Sequence, residues 1–248
     1  MSSDIKTISR HLDDLRRDLV VAFGAVTLAA LSSYLFLQEQ MTLIWFAPIR
    51  NLDIALAYIV VTEAFLTKIR LSFLTGTILA FPVIAWRVVG FIFPALTVRE
   101  KRYALVVVPV ASILFAGGVF FAYFAVLPFA MKFFLLEAAG EYLKPMISVS
   151  KYVSFLTSFL LPFGLVFQLP LTVICLTRLG LVDYKFLAAK RKYALLITFG
   201  AAALITPPDV ISQILLAVPI FILYEVGIWL SLLVMVRDKR KKSGVSAE

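Results

Sequence analysis

Cysteine and histidine are nearly missing from this chain. Its 248 residues include one of each, Cys175 and His11. One cysteine cannot close a disulfide or a CxxC framework within the chain. One histidine does not suffice for a histidine-based metal site, and it leaves no histidine triad to be assembled from the sequence. Charge is scarce as well. Only 16% of the residues are charged, against about a quarter in soluble domains. No glycine-rich phosphate loop is present. Together these absences argue against a metalloenzyme, a disulfide-stapled domain and a nucleotide-driven machine. The expectation is a protein that is not an enzyme and needs neither metal nor other cofactor.

What is abundant is apolar: 62% hydrophobic and 14% aromatic residues, with a net charge of +9. A soluble protein this basic would suggest nucleic acid. Here the positive charge is expected to sit in cytoplasmic loops of a membrane protein, with no nucleic-acid partner. Uncharged stretches mark six predicted spans, Leu19–Leu37, Leu71–Val98, Tyr103–Met131, Tyr152–Thr177, Tyr193–Pro208 and Val210–Val236. Each must be helical, because an isolated strand cannot satisfy its backbone in lipid. The predicted organisation is one integral-membrane domain over residues 1–248. The charged N-terminal segment and the length of the first apolar run do not fit a removable signal peptide.

Lysine and arginine sort to one side of these spans. Lys6, Arg10, Arg16, Arg17, Arg87, Arg99, Lys101, Arg102, Arg178, Lys185, Lys190, Arg191, Lys192, Arg237, Lys239, Arg240, Lys241 and Lys242 fall together. Arg50, Lys68, Arg70, Lys132, Lys144 and Lys151 fall on the other side. The asymmetry predicts that both termini are cytoplasmic and that the chain is a multi-pass protein of the plasma membrane. Tyr193–Pro208 would rise about 24 Å as a helix, short of the roughly 30 Å hydrocarbon core. Its successor begins after a Pro-Pro-Asp turn, so the fifth and sixth spans form a tight hairpin. Prolines in spans two, three, four and six are expected to break the hydrogen-bond ladder and kink those helices, with Pro162 and Pro170 breaking the fourth. The outer loop 38–68 is rich in Leu, Ile, Val, Trp and Phe and is expected to lie in the membrane interface as short amphipathic helices.

Few polar residues stand out. In Ser9–Leu19, Leu12, Leu15 and Leu19 share one face while Asp13 can pair with Arg16 or Arg17, which reads first as an interfacial helix with self-paired charges. Glu100, among Arg99, Lys101 and Arg102, is either their structural partner or an acceptor for an incoming guanidinium, the group a carboxylate binds best. Gln168, Thr206, Gln213 and Glu225 are polar groups inside apolar spans, where unpaired polarity is costly. Glu225 can instead reach the interface, with Tyr224 and Trp229 as anchors. Asp209 can cap the sixth helix.

Several of these residues fall in an ordered set. It comprises His11-Leu12-x-Asp14-Leu15-Arg16, Ala47-Pro48, Phe81-Pro82, Phe91-Ile92-x-Pro94-Ala95-Leu96, Glu100-Lys101-Arg102 and Leu127-Pro128. It ends with Thr206-Pro207-Pro208-Asp209-Val210-x-Ser212-Gln213 and Tyr224-Glu225. In order, topology and the short fifth span this set resembles the C subunit of the twin-arginine protein translocase, TatC, along nearly the whole chain. The resemblance implies an all-α, concave, glove-like bundle of six transmembrane helices with short fifth and sixth members. It implies the core of a machine that exports folded proteins, driven by the proton-motive force.

By the same resemblance, Asp14, Arg16, Phe91 and Glu100 belong to the cytoplasmic face that reads the paired arginines of a signal peptide. Gln168, Thr206 and Gln213 fall where small single-span partners of the TatA and TatB type dock. Pro48 and Asp209 belong to the outer face. Membrane lipids and further copies of the chain are the other partners implied. Three positions depart from the family pattern: Asp14 where Glu is usual, Asp18 where a base is frequent, and Gln168 where Glu is frequent. Glutamine cannot titrate, so proton exchange at 168 is not expected here. A secondary transporter using Gln168, Glu225 and kinked spans is the alternative, although no inverted repeat is evident. A structural scaffold would share the same fold.

Overall fold

The computed structural model describes residues 2–50, 54, 56–92, 98–137, 146–205 and 210–245. Helices dominate. They are α1 (Ser2–Phe36), α2 (Gln38–Arg50), α3 (Glu63–Ile92) and α4 (Val98–Phe121), followed by α5 (Leu127–Lys132), α6 (Val149–Val166) and α7 (Leu169–Arg178). The last three are α8 (Tyr184–Ala189), α9 (Arg191–Ile205) and α10 (Val210–Val245). Wider π turns, Ala122–Val126 and Phe133–Glu137, flank α5. Five stretches are long and apolar enough to cross a bilayer: Asp13–Phe36, Glu63–Phe91, Leu105–Leu135, Val149–Arg178 and Val210–Val236. The chain is thus a multi-pass helical membrane protein. With 15 residues, α9 rises only about 22 Å, as its short apolar run predicts.

Contacts divide the chain into two compact units, one of Met1–Ala116 with Ala139–Thr157, the other of Gly117–Ala138 with Ser158–Glu248. In the first, α1 and α3 pack side by side. A Cβ on Gly76 would lie 2.5 Å from the Ala30 nitrogen, so glycine is what lets the two backbones meet there. Twelve residues toward the N-terminus of α1, Asp18 meets Arg87 of α3, which makes the pair antiparallel. The α2 helix turns Met41, Trp45 and Ile49 inward at a spacing of four. It is tied down by Trp45 Nε1 donating to Thr75 Oγ1 at 2.9 Å and by Tyr152 Oη donating to the Trp45 carbonyl at 2.6 Å. Phe81 and Phe115 stack with ring centroids 3.7 Å apart.

An unforeseen element joins the loop before α3 to the loop before α6 in this unit. Leu56–Ala57 and Ile147–Ser148 form a two-residue parallel pair, β1 and β2. Glu63, at the first turn of α3, is buried against them. Its Oε2 accepts from the amides of Ile59 (2.7 Å) and Val60 (3.3 Å). Its Oε1 accepts from the Ser150 amide (2.7 Å) and from the Ser148 hydroxyl. Arg70 Nη1 donates to Ser150 and Ser154 at 3.0 and 3.1 Å.

The second unit is built on close backbone approaches. A Cβ on Gly118 would come within 2.5 Å of the Phe163 carbonyl oxygen. Gly227 of α10 admits Val173 of α7, and one turn on Thr177 and Ser231 share a buried hydroxyl bond of 2.8 Å. These two contacts advance together, so α7 and α10 run parallel.

Several expectations need correcting. The sixth helix is not short: α10 has 36 residues, because the Lys/Arg-rich stretch after its apolar part favours helix and nothing breaks it before Gly244. The second span begins at Glu63 rather than Leu71, since Glu63 starts the helix and Lys68 and Arg70 are tolerated in its exposed first turns. The N-terminal segment is no separate interfacial helix but continuous with the first span in α1. Proline interrupts less than expected. Pro82, Pro109, Pro162 and Pro219 lie inside unbroken helices; each removes one ladder bond, which the neighbouring turns tolerate. Pro128 follows directly on the π turn Ala122–Val126, and Pro170 coincides with a break at Phe167–Gln168, where Gln168 N donates to the Leu165 carbonyl at 3.0 Å.

Candidate functional site

Asp14 and Arg16 lie exposed on α1, beside exposed Asp13 and Arg17. Phe91 is half-buried in the last turn of α3. The antiparallel register that pairs Asp18 with Arg87 carries on by one turn to set Asp14 level with Phe91. Two of the residues proposed for one face therefore meet at the same end of the α1–α3 pair. Glu100 is in the first turn of α4, and its side chain lies outside the described residues, as do Phe93–Thr97 between the two helices.

The Asp18–Arg87 pair itself escaped the sequence reading. Arg87 Nη1 donates to Asp18 Oδ1 at 3.3 Å, with both side chains partly exposed. Arg87 Nε is buried and has no hydrogen-bond partner among the described residues. The available signal was an arginine inside an apolar stretch, which calls for a carboxylate within reach. Asp18, at a position often basic in the resembled family, is that carboxylate.

Gln168 is half-buried at the helix break, and its carbonyl accepts from both the amide and the hydroxyl of Thr172 at 2.9 Å. Gln213 Nε2 donates to the Phe199 carbonyl at 3.1 Å and so ties α10 to α9. By the parallel register of α7 and α10, Gln168 stands level with residue 222, more than two turns from Gln213. The structure does not bring these two amides together. Thr206 and Asp209 lie outside the described residues. Pro48 is half-buried within α2.

Glu225 is no lone intramembrane acid. Its two oxygens accept from Arg191 Nε at 2.7 Å and Nη2 at 2.9 Å, the two-pronged geometry of a guanidinium on a carboxylate. Tyr224 Oη donates to the Leu187 carbonyl at 2.8 Å. Among the described residues no group of three or more His, Cys, Asp or Glu side chains could hold a metal ion. Chemically, the α1–α3 end offers exposed carboxylates, bases and an aromatic side chain. That set suits charge recognition.

Comparison with known proteins agrees with the arrangement of elements. The family described as Sec-independent protein translocase protein (TatC) matches residues 10–219. The Sec-independent protein translocase protein TatC of Carboxydothermus hydrogenoformans is 41% identical over 226 residues, covering 91% of this chain and 92% of its own length. TatC of Escherichia coli is 34% identical over 230 residues, covering 92% and 89%. A crystal structure of the twin-arginine translocase receptor TatC superposes with a TM-score of 0.80 at 34% identity, over 91% of this chain and 99% of that one. The chain therefore belongs to the TatC family of Sec-independent protein translocase proteins.

Proposed function

We propose that this chain is the signal-recognising core of a twin-arginine translocase. Its cytoplasmic face binds the paired arginines of a signal peptide, with Asp14 and Glu100 as carboxylate acceptors and Arg16 and Phe91 completing the surface. The observation that carries the reading is the placement of exposed Asp14 level with Phe91 at one end of α1 and α3, in a chain of the TatC family. A charge-assisted hydrogen bond is worth about 1.5–3 kcal/mol, less where water screens it. The planar guanidinium fork favours arginine over lysine on a carboxylate.

On this reading the chain crosses the plasma membrane six times. The short α9 counts as a crossing that thins the bilayer or leans on protein, and both termini are cytoplasmic. Thr206, Gln213 and Gln168 take part in assembly with TatA- and TatB-type subunits, and Pro48 and Asp209 belong to the outer face. Export of folded passengers draws on the proton-motive force, with no covalent chemistry at the chain itself.

Binding of a twin-arginine signal peptide to the purified protein, set against a twin-lysine peptide, tests the proposal in wild type, Asp14→Asn and Glu100→Ala. The expected result is arginine-selective binding that falls at least tenfold in each variant while thermal stability is kept. Equal binding of both peptides, or unchanged binding in both variants, removes the receptor assignment.

A further inference from the structure

The segment joining α7 to α9 is pinned beside an apolar helix. Leu187 of α8 accepts the Tyr224 hydroxyl, and Arg191 is held by Glu225. Both anchors belong to α10, whose apolar stretch continues to Val236, roughly 18 Å of further helix. The α8 segment thus lies alongside the apolar part of α10. Its entry is fixed as well. Gly180, at φ +72°, closes α7 with Gly180 N donating to the Thr177 carbonyl and Leu181 N to the Leu176 carbonyl, at 3.0 and 3.1 Å. That is the glycine-terminated cap that spares the last carbonyls.

What this segment presents is two-sided. Leu181, Phe186 and Tyr193 are 69%, 57% and 60% exposed. Lys185, Lys190 and Lys192 are exposed beside them, and none makes an ion pair with the described residues. Arg191 is already neutralised by Glu225, and Asp183 is the single carboxylate in the sequence from Arg178 to Tyr193. Lys190 Nζ stands 5.0 Å from the centre of the Tyr193 ring and 5.9 Å from that of Phe186. Cation and apolar surface are thereby held side by side. At the edge of a bilayer the ligand that answers both is a lipid with an anionic head.

We propose that the α7–α9 segment is a binding surface for anionic phospholipid. Lys185, Lys190 and Lys192 receive the phosphate, and Leu181, Phe186 and Tyr193 meet the acyl chains. The site stands independently of signal-peptide recognition and of the side of the membrane that the segment faces. A loop that only sets orientation would need its positive charge but no preference for one lipid.

Native mass spectrometry of the full-length protein in mild detergent tests this, titrating dioleoyl phosphatidylglycerol, dioleoyl phosphatidylcholine and soluble sn-glycerol 1-phosphate. Each lysine at such a surface is worth about fivefold in affinity. Lys185→Gln/Lys190→Gln/Lys192→Gln should therefore weaken phosphatidylglycerol binding by on the order of a hundredfold and leave phosphatidylcholine unchanged. Phe186→Ser should weaken it too, and glycerol phosphate should not compete. If the triple Gln variant fails to fold, the triple Lys→Arg variant must keep the selectivity. A triple Gln variant that binds phosphatidylglycerol within threefold of wild type overturns the proposal. So does a wild type that does not distinguish the two lipids, an Arg variant without selectivity, or effective competition by glycerol phosphate, which would indicate a soluble-anion site.

Discussion

Replacing Asp18 by alanine should cost more than replacing its partner, and the asymmetry follows from what each change leaves behind. The pair is joined by one contact of 3.3 Å, with side-chain exposures of 34% for Arg87 and 22% for Asp18. A fully buried charge-assisted bond is worth about 1.5–3 kcal/mol and an exposed ion pair about 0.2–1. This partly covered contact should fall between them, near 1–1.5 kcal/mol. Asp18→Ala removes the bond and also strands a guanidinium whose Nε is already buried without a partner. The expected loss is about 2 kcal/mol. Arg87→Met keeps the packing of the stem and leaves a carboxylate that can turn toward water, for a loss of about 1 kcal/mol.

The double variant, Asp18→Ala with Arg87→Met, removes both charges together and should lie within about 1 kcal/mol of wild type, since an apolar pair often replaces an ion pair at little cost. For a chain of this size 1 kcal/mol is about 2–4 °C in melting temperature. The single variants should then melt roughly 4–8 °C and 2–4 °C below wild type in detergent. The double variant should melt above Asp18→Ala. A coupling below about 0.5 kcal/mol, with the two losses simply adding, would refute the claim that this pair fastens the end of α1 to α3. The pair sits one turn from Asp14 and Phe91. On the proposed receptor reading, Asp18→Ala should for that reason also weaken signal-peptide binding, and the double variant should recover it.

Gly76→Ala puts a Cβ 2.5 Å from backbone at Ala30, whereas Gly24→Ala meets nothing within 4 Å. The first should cost about 1–3 kcal/mol and the second almost nothing, as read by thermal melting; equal melting temperatures would mean that α1 and α3 do not meet at Gly76. Glu63→Ala removes the acceptor of two loop amides, one helix amide and one hydroxyl. Hydrogen exchange should quicken at residues 56–60 and 147–151 and stay unchanged in α9 and α10; unchanged rates in the two loops would show that the carboxylate does not hold them. Glu225→Ala breaks a two-pronged contact, but Arg191 is 50% exposed. Screening should keep the loss small, a drop of under about 4 °C in melting. A larger drop would place Glu225 in a drier site than the structure does.

How much was legible followed from range. Hydropathy located the third, fourth and sixth predicted spans to within a few residues and the first two with starts six to eight residues late, because a long apolar segment carries its own signal over about twenty residues. The short α9 was visible as an uncharged run between Lys192 and the Pro-Pro-Asp turn. The break at Phe167–Gln168 was readable from Pro170, while Pro162 misled, since one lost ladder bond does not end a helix that packs on both sides of it. The β1–β2 pair was out of reach: two residues carry no alternation, and the strands lie about ninety positions apart. Glu63 was passed over because a carboxylate beside a loop looks like ordinary surface until the amides it accepts are placed around it. Of the candidate site, the identities of Asp14 and Phe91 came from motif order. Their common level came only from the register that Ala30–Gly76 and Asp18–Arg87 define.

The distribution of acids constrains how this protein can respond to a proton gradient. Within the five long apolar stretches the described carboxylates are Asp13, Asp14, Asp18, Glu63 and Glu225. The first three lie in the opening turns of their stretch, and Glu63 is its stretch's first residue. Glu225 stands level with Arg191, the first residue of α9, and on the six-span reading that level is an edge. The three that are covered are each engaged, by Arg87, by amides and hydroxyl, or by Arg191. Between the level of Glu225 and the hairpin turn stand groups that do not titrate: Gln213 with the Phe199 carbonyl, and Gln168 at the helix break, level with residue 222. A relay of carboxylates through the middle of the described helices is therefore not available. If transport by this chain draws on the proton-motive force, the titrating group is not a carboxylate midway along the described helices. Gln168→Ala should then leave the pH dependence of export unchanged, even where it lowers the rate, and a shifted pH profile in that variant would contradict this.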